Sequence, residues 1–408
     1  MGKEVILVGG LYPHETYMKI LENSRSGFQG AADSLQWKLV KGLNDCVGAS
    51  HVHVLNSLYI GSYPNRYGQM YIDRYEFETY PNIINGINAP FINVPIIKEL
   101  FRAQSLKREL NRLLSQTEDP EQVILIGYAA SFPIVKTLLY AGTKWPGIKT
   151  CLVVPDLPEY MELGQGPISA LRRFKNRLVE SDMLAVDKFV LLTDAMASYF
   201  ALDPDRYCVV EGIADGDSNP CSDDLRINQP REFRRNLLYT GTLQYKYGIR
   251  ELIDSVLELD RDDVCLTICG DGEASEEISQ LSVKYPFIRY LGVVPINEVK
   301  RLQSEADFLI NPRNCSDEYT KYSFPSKMME YLSSGVPVIA YMLPGMPSEY
   351  APYFIHANDR GLKAAIDAAL SLTDEELNAL ASSARLFVLE EKNPAKQVAK
   401  ILNLMEFN

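Results

Sequence analysis

The sequence predicts an α/β protein of two doubly wound Rossmann-like domains facing each other across a cleft. Three observations predict it. Short apolar runs of the kind buried inside parallel sheets recur along the chain, as in Gln122-Val123-Ile124-Leu125-Ile126-Gly127 and Val264-Cys265-Leu266-Thr267-Ile268-Cys269. Helical stretches alternate with them from end to end. The 408 residues, 46% hydrophobic and 23% charged, are enough for two cores of about 200 residues each. The alternation restarts near residue 207, so the domains are expected at 1–212 and 213–389, with a last helix at about 390–408 as a candidate to pack back on the first.

In chain order, residues 4–8 read as a buried strand ending in Gly9-Gly10, and Gly30 leads into a helix through about residue 42. Gly9, Gly10 and Gly30 either let the backbone approach a ligand or serve turns and packing; their spacing is not the dinucleotide fingerprint. A second strand is expected at 52–55. The passage 65–95, rich in Tyr and Asn, has no readable period. A basic helix at 98–115, strands at 122–127 and 149–156 around a helix at about 131–141, a strand at 187–192 and a helical turn at 195–200 come next. Residues 208–212 close the first sheet or connect to the polar segment 215–230. The second domain then offers strands at 237–241, 264–269, 288–291, 308–311 and 336–340, with helices at 249–259, 274–284, 298–304 and 325–334. An amphipathic helix at 394–405 ends the pattern.

A net charge of −12 argues against general affinity for nucleic acid or an anionic membrane. The first ten residues have no signal-peptide apolar core and no run is long enough to span a bilayer, which places the chain in the cytoplasm. The seven cysteines never take paired CxxC spacing, and His51 and His53 have no third ligand beside them, so a structural zinc site is not expected. Cys265 and Cys269 point to one face of their strand as core thiols.

The stretch Ser323-Phe324-Pro325-Ser326-Lys327-Met328-Met329-Glu330-Tyr331-Leu332-Ser333-Ser334-Gly335 holds the candidate site. Pro325 suits a first helical position and Gly335 a left-handed residue at the helix end. Met328, Met329 and Leu332 can face the core while Ser326, Lys327 and Glu330 share another face. A helix start offers free N–H groups and a positive dipole end, so the 325–327 turn is a diphosphate seat. Glu330 lies about 7 Å further in, at a distance suited to ribose hydroxyls. The same pattern also describes an ordinary amphipathic helix with a solvated Glu and Lys.

Tyr239-Thr240-Gly241-Thr242-Leu243, Lys246-Tyr247-Gly248-Ile249, Gly270-Asp271-Gly272-Glu273, Tyr290-Leu291-Gly292-Val293-Val294 and the stretch above fall in one order. Together they resemble the C-terminal half of the family-4 retaining glycosyltransferases of the GT-B fold. Pro155-Asp156-Leu157-Pro158-Glu159-Tyr160 and Val210-Glu211-Gly212-Ile213-Ala214-Asp215 resemble bacterial surface-polysaccharide members. The resemblance implies a hexosyltransferase-type enzyme that moves a sugar from a nucleotide diphosphate-sugar to a glycan or lipid-linked glycan acceptor, with no resident cofactor and no metal. It implies that Glu330 holds ribose, that the 324–327 turn (Phe324, Pro325, Ser326, Lys327) holds the diphosphate, and that the backbone from Gly292 to Val294 holds the base. Gly9, Gly10 and Gly30 would close over the phosphates from the first domain, with Gly241, Thr242 and Gly270 completing the donor site. Retention is implied to proceed with the departing diphosphate assisting the acceptor proton.

Three positions depart from that family. Thr242 stands where members carry an arginine, and Tyr247 where they carry a lysine; Lys246, one residue off, is the best remaining cation and Lys327 the second. Tyr322 replaces the first of two glutamates eight residues apart, so sugar contacts cannot be carried over there. Asp156, at a strand end, either meets the acceptor and reacting carbon or is a plain turn residue. The basic segment 171–178 (Arg172, Arg173, Lys175 and Arg177 beside Leu171, Phe174 and Leu178), like 107–114, is either a solvated helix face, a peripheral contact with the inner face of the plasma membrane, or a seat for a phosphate-bearing lipid acceptor. The rival function is a non-catalytic glycosyltransferase-like subunit that stabilises a partner enzyme; a sugar-nucleotide epimerase of related fold is a third.

Overall fold

The computed structural model describes residues 4–25, 29–157, 176–216, 233–315, 317–358 and 360–406. The chain divides into two compact units, Met1–Ile213 together with Pro394–Asn408, and Ala214–Asn393. Each is an α/β unit with its own largely parallel sheet.

Among the described residues the first unit's main sheet has eight strands. Their order is Tyr207–Val209, Lys188–Leu191, Lys149–Val154, Ile124–Tyr128, Val5–Gly9, Val52–Asn56, Gly86–Asn88 and Tyr75–Phe77. Neighbours are parallel except the last pair. Val5–Gly9 and Ile124–Tyr128 are buried at every position, as strands covered on both faces must be. The order reverses between these two, which opens a crevice beyond their carboxyl ends. The 65–95 passage supplies the strands Tyr71–Ile72, Tyr75–Phe77, Gly86–Asn88 and Phe91–Ile92. At two or three residues each they are too short for a period to register.

The helix Gly30–Val47 runs five residues past its expected end and stops before Gly48, whose φ is +94°. Helix Pro394–Leu404 lies on it, and Gly42 makes the approach possible: a Cβ there would fall 2.4 Å from the Pro394 carbonyl oxygen and 2.6 Å from Val398 Cγ2.

The second unit's sheet runs Ile288–Gly292, Val264–Cys269, Arg235–Thr240, Phe308–Asn311, Val338–Ala340 and Ile355–His356, all parallel. Its order reverses between Arg235–Thr240 and Phe308–Asn311. Leu237, Leu266, Ile268, Phe308, Leu309, Ile310 and Ile339 form the inaccessible centre of its core. Cys269 is a buried thiol within it, whereas Cys265 is buried outside that cluster, its thiol donating to Asn236 Oδ1 at 3.2 Å.

Two expectations are corrected here. Pro325 is the N-cap of helix Ser326–Ser333 and not its first residue, because its ψ of 108° is extended. The strand expected from 336 begins at Val338, because Gly335, at φ +75°, and the two residues after it are spent turning the chain off the helix. Helices Gly361–Ser371 and Asp374–Glu391 were not expected, although the second opens with a Thr373/Glu376 capping box. The segments 171–178 and 215–230 fall largely outside the described residues. Among the described residues no helix is long and apolar enough to cross a membrane.

Candidate functional site

In the second unit, the crevice at the order reversal is bounded by the residues that leave Thr240 on one strand and Asn311 on its neighbour. Two N–H groups lace the strand ends: Gly241 donates to the Cys269 carbonyl at 2.9 Å and Gly270 to the Gly292 carbonyl at 2.8 Å. A Cβ on Gly270, whose φ is +141°, would lie 1.8 Å from the Gly241 carbonyl oxygen, so only glycine fits. Tyr290 Oη donates to the Gly270 carbonyl at 3.0 Å and Tyr239 Oη to the Thr242 carbonyl at 2.9 Å. Thr242 is exposed at this rim and Val294 is half-buried just past strand Ile288–Gly292.

Glu330 is held on both oxygens. Gln303 Nε2 donates to Oε1 at 2.6 Å and Lys327 Nζ to Oε2 at 2.8 Å, and the Glu330 side chain remains 31% exposed. Gln303, itself 2% exposed, also donates to Thr240 Oγ1 at 3.2 Å. Tyr331 Oη accepts from the Thr240 N–H at 2.9 Å and donates to the Thr240 carbonyl at 3.1 Å. Burial above all holds the Tyr331 phenol well above its ordinary range, so it serves as a neutral donor and acceptor. Glu330 is thus tied through Gln303 and Tyr331 to the last residue of the central strand.

Of the turn before the helix, Phe324 is a core side chain, its ring centroid 5.1 Å from that of Tyr350. Pro325 is buried, Ser326 is exposed, and Tyr322 is half-buried at the end of the 3-10 turn Glu318–Tyr322. Lys246 lies on the exposed turn Tyr245–Tyr247, its ammonium 5.1 Å from the Tyr247 ring centroid. Gly248, at φ +81°, packs so closely that a Cβ would come 2.1 Å from the Pro312 carbonyl oxygen. That contact seats the 245–248 turn on the segment leaving strand Phe308–Asn311. A cation missed in the sequence stands there: Arg313, whose guanidinium donates to Ser323 Oγ at 2.8 Å. Gln303 and Arg313 carried no local signal, since their place depends on strand order.

In the first unit, the Gly10 N–H donates to Gln36 Oε1 at 2.8 Å, and a Cβ on Gly10 would meet Tyr59 and Ser57 at 3.0–3.1 Å. The close approach these residues allow in the structure is therefore to protein. Gly30 is the exposed first residue of its helix. Asp33, one turn in, accepts the Tyr12 N–H at 2.6 Å, and burial lifts its carboxyl to about 6. Asp156 is exposed just beyond strand Lys149–Val154. Burial first, then the charges of Asp156 and Asp33, push the Tyr128 phenol far up, so these groups share the carboxyl edge of this sheet. A cavity of about 840 Å³ in this unit is lined by Tyr59, Tyr63, Lys98, Arg102, Ser131 and Phe132 among others. Among the described residues no three His, Cys, Asp or Glu side chains gather as a metal site.

Residues 234–375 match the family described as "Glycosyl transferases group 1". No curated protein matches the chain. Among solved structures, sucrose-phosphate synthase from Thermosynechococcus elongatus superposes with a TM-score of 0.66 at 15% identity, covering 99% of this chain and 98% of that one. The catalytic domain of starch synthase IV from Arabidopsis thaliana, bound to ADP and acarbose, gives 0.62 at 11% identity over 100% and 99%. HepE from Anabaena in complex with UDP gives 0.63 at 12% identity over 99% of each chain. The chain therefore has the two-domain α/β fold of the GT-B glycosyltransferases, and its second unit carries the sequence pattern of the group 1 glycosyl transferases.

Proposed function

We propose that the protein is a retaining glycosyltransferase that moves a hexose from a nucleotide diphosphate-sugar to a glycan or lipid-linked glycan acceptor in cell-surface polysaccharide synthesis. The observation that carries this reading is Glu330: it lies inside the family-matched segment, on the first turns of a helix whose N-terminus opens beside the order reversal of the sheet. A carboxylate has about four lone-pair positions. Two are taken by Gln303 and Lys327, which leaves room for two hydroxyl donors of a ribose.

The donor's phosphates would meet the N–H groups of Ser326 and Lys327 at the positive end of the helix. Lys246, Thr242 and the backbone at Gly241 and Gly270 would border them, with the base against Gly292 to Val294. In the transfer, the bond from the sugar's anomeric carbon to the diphosphate oxygen breaks with its electron pair leaving on the diphosphate. The acceptor oxygen bonds the same carbon on the same face, and its proton passes to the departing phosphate. Asp156 would border the acceptor, and no metal is required by this arrangement of donors.

The test is a thermal-shift screen of UDP, ADP, GDP and their common sugar conjugates, since a ligand that binds only the folded chain raises its melting point. A hit followed by slow donor hydrolysis with release of the α- or β-sugar matching the donor supports the enzyme. Absence of any nucleotide binding would instead favour the non-catalytic partner subunit.

A further inference from the structure

We propose that Arg313 is the principal cation for the donor diphosphate in this chain. The inference rests on the donor-site reading above and assigns a residue that sequence comparison by position does not find.

Place comes first. Arg313 is the second residue beyond strand Phe308–Asn311, directly across the order reversal from Gly241 and Thr242, which leave strand Arg235–Thr240. A parallel sheet of this kind receives its ligand there. The guanidinium donates through Nη2 to Ser323 Oγ at 2.8 Å, and Ser323 lies two residues before the Pro325 cap of the helix that would seat the phosphates.

Its state comes next. The guanidinium carbon stands 4.6 Å from the Tyr319 ring centroid and 5.6 Å from that of Tyr247, which hold the plane without neutralising its charge. Among the described residues Arg313 forms no ion pair, and its buried Nε has no hydrogen-bond partner. A buried N–H without an acceptor costs about 1–3 kcal/mol and is rare in a native fold. The rival cations differ in both respects: Lys327 is committed to Glu330 at 2.8 Å, and Lys246 sits exposed over Tyr247. Tyr247 therefore carries two cations, an exposed lysine and a packed arginine, and the Gly248–Pro312 contact fixes the ring beside the arginine.

The chemistry favours the arginine. A guanidinium offers a planar fork that matches two phosphate oxygens at once, is always charged and loses little freedom when already sandwiched. When the sugar–oxygen bond breaks, negative charge grows on the diphosphate, so a fixed cation there helps departure more than it helps binding.

Calorimetry of the full chain with UDP, ADP and GDP, and with uridine, adenosine and guanosine, tests the assignment. For whichever base binds wild type, Arg313→Gln should weaken the diphosphate about tenfold to a hundredfold and leave the nucleoside unchanged. Arg313→Lys should recover only part of the loss. Lys246→Gln should cost less than Arg313→Gln, and its cost should vanish in 0.5 M salt (about 4 Å of screening length) while the arginine's persists. Melting curves accompany each variant; if Arg313→Gln does not fold, the lysine variant carries the test, with a several-fold loss confined to the diphosphate. Diphosphate affinity within twofold of wild type in a folded variant, or an equal loss for diphosphate and nucleoside, overturns the proposal. Should wild type bind none of the three diphosphates, the donor site itself falls, a result distinct from a wild type that binds and variants that bind as well.

Discussion

Replacing Glu330 by Gln keeps the shape of the side chain and removes its charge, which makes it the sharpest probe of the proposed donor site. Charge-assisted hydrogen bonds from a ribose diol are worth about 1.5–3 kcal/mol each and neutral ones about 0.5–1.5. An amide oxygen can keep one neutral bond in place of the two charge-assisted ones, so the net loss is about 1.5–5.5 kcal/mol, at least about tenfold in affinity. The structure adds a folding cost. Gln303 Nε2 and Lys327 Nζ both donate to the carboxylate, at 2.6 and 2.8 Å, and an amide presents its own NH₂ to one of them. The lysine pair is half-exposed and worth at most about 1 kcal/mol, and Gln303 can turn its amide to accept. A stability loss of about 1 kcal/mol, a melting shift of roughly 2–4 °C for a unit of this size, is the expectation.

The assay is calorimetry with the nucleoside diphosphate that wild type binds, beside its 2′,3′-dideoxy analogue. The analogue lacks the diol, so wild type and Glu330→Gln should bind it almost equally, which separates lost contacts from a distorted site. Equal affinity of variant and wild type for the normal nucleotide would refute the reasoning and leave Glu330 as a helix residue serving Lys327 and Gln303 alone.

The alternation of strand and helix was legible because it depends on local period, and a strand such as Ile124–Tyr128, buried throughout, announces itself by composition. The features that escaped are those that period cannot carry. The strands at Tyr71–Ile72 and Phe91–Ile92 pair antiparallel with each other, and nothing in two residues fixes a partner. Helix Asp374–Glu391 was missed despite its capping box, because its small buried residues, Ala381 and Ala384, blur the apolar face.

The site divides along the same line. Glu330 and the helix start were legible as a single local stretch, whereas Gln303 lies 27 residues before Glu330 and reaches it only because helix Ile296–Glu305 and helix Ser326–Ser333 flank the same central strand end. Arg313 was invisible for a related reason. Reading cations by position led to Lys246, beside Tyr247 in sequence; reading them by strand order leads to Arg313, beside Tyr247 in space. The order of strands in a sheet is a property of long-range pairing, and one sequence does not display it. Gly10 marks the opposite case, a glycine whose freedom was legible but whose neighbour, Gln36, was not.

Three further outcomes are expected. Gly270→Ala should lower stability by at least about 2 kcal/mol, roughly 4–8 °C in melting temperature, because its Cβ would lie 1.8 Å from the Gly241 carbonyl oxygen at a φ of +141°; an unchanged melting curve would contradict the lacing of the strand ends. Transfer should persist in excess EDTA if, as proposed, N–H groups and side-chain cations meet the diphosphate charge; loss of activity that Mn²⁺ or Mg²⁺ restores would show a metal requirement. The last concerns Asp33, whose carboxyl burial lifts to about 6 against about 3.9 in the unfolded chain. A carboxyl raised in this way holds its proton more tightly in the native state, so its contribution to stability is fully present below about pH 4 and is lost as pH rises through about 6. Asp33→Asn is neutral throughout, and its amide oxygen can still accept the Tyr12 N–H that Asp33 accepts at 2.6 Å. The melting temperature of the variant relative to wild type should therefore climb between about pH 4 and 6 and level off above, as wild type alone is forced to bury a charge. A difference that stays constant from pH 3.5 to 7 (roughly the window set by those two values) would mean that the carboxylate ionises in the fold as freely as in water.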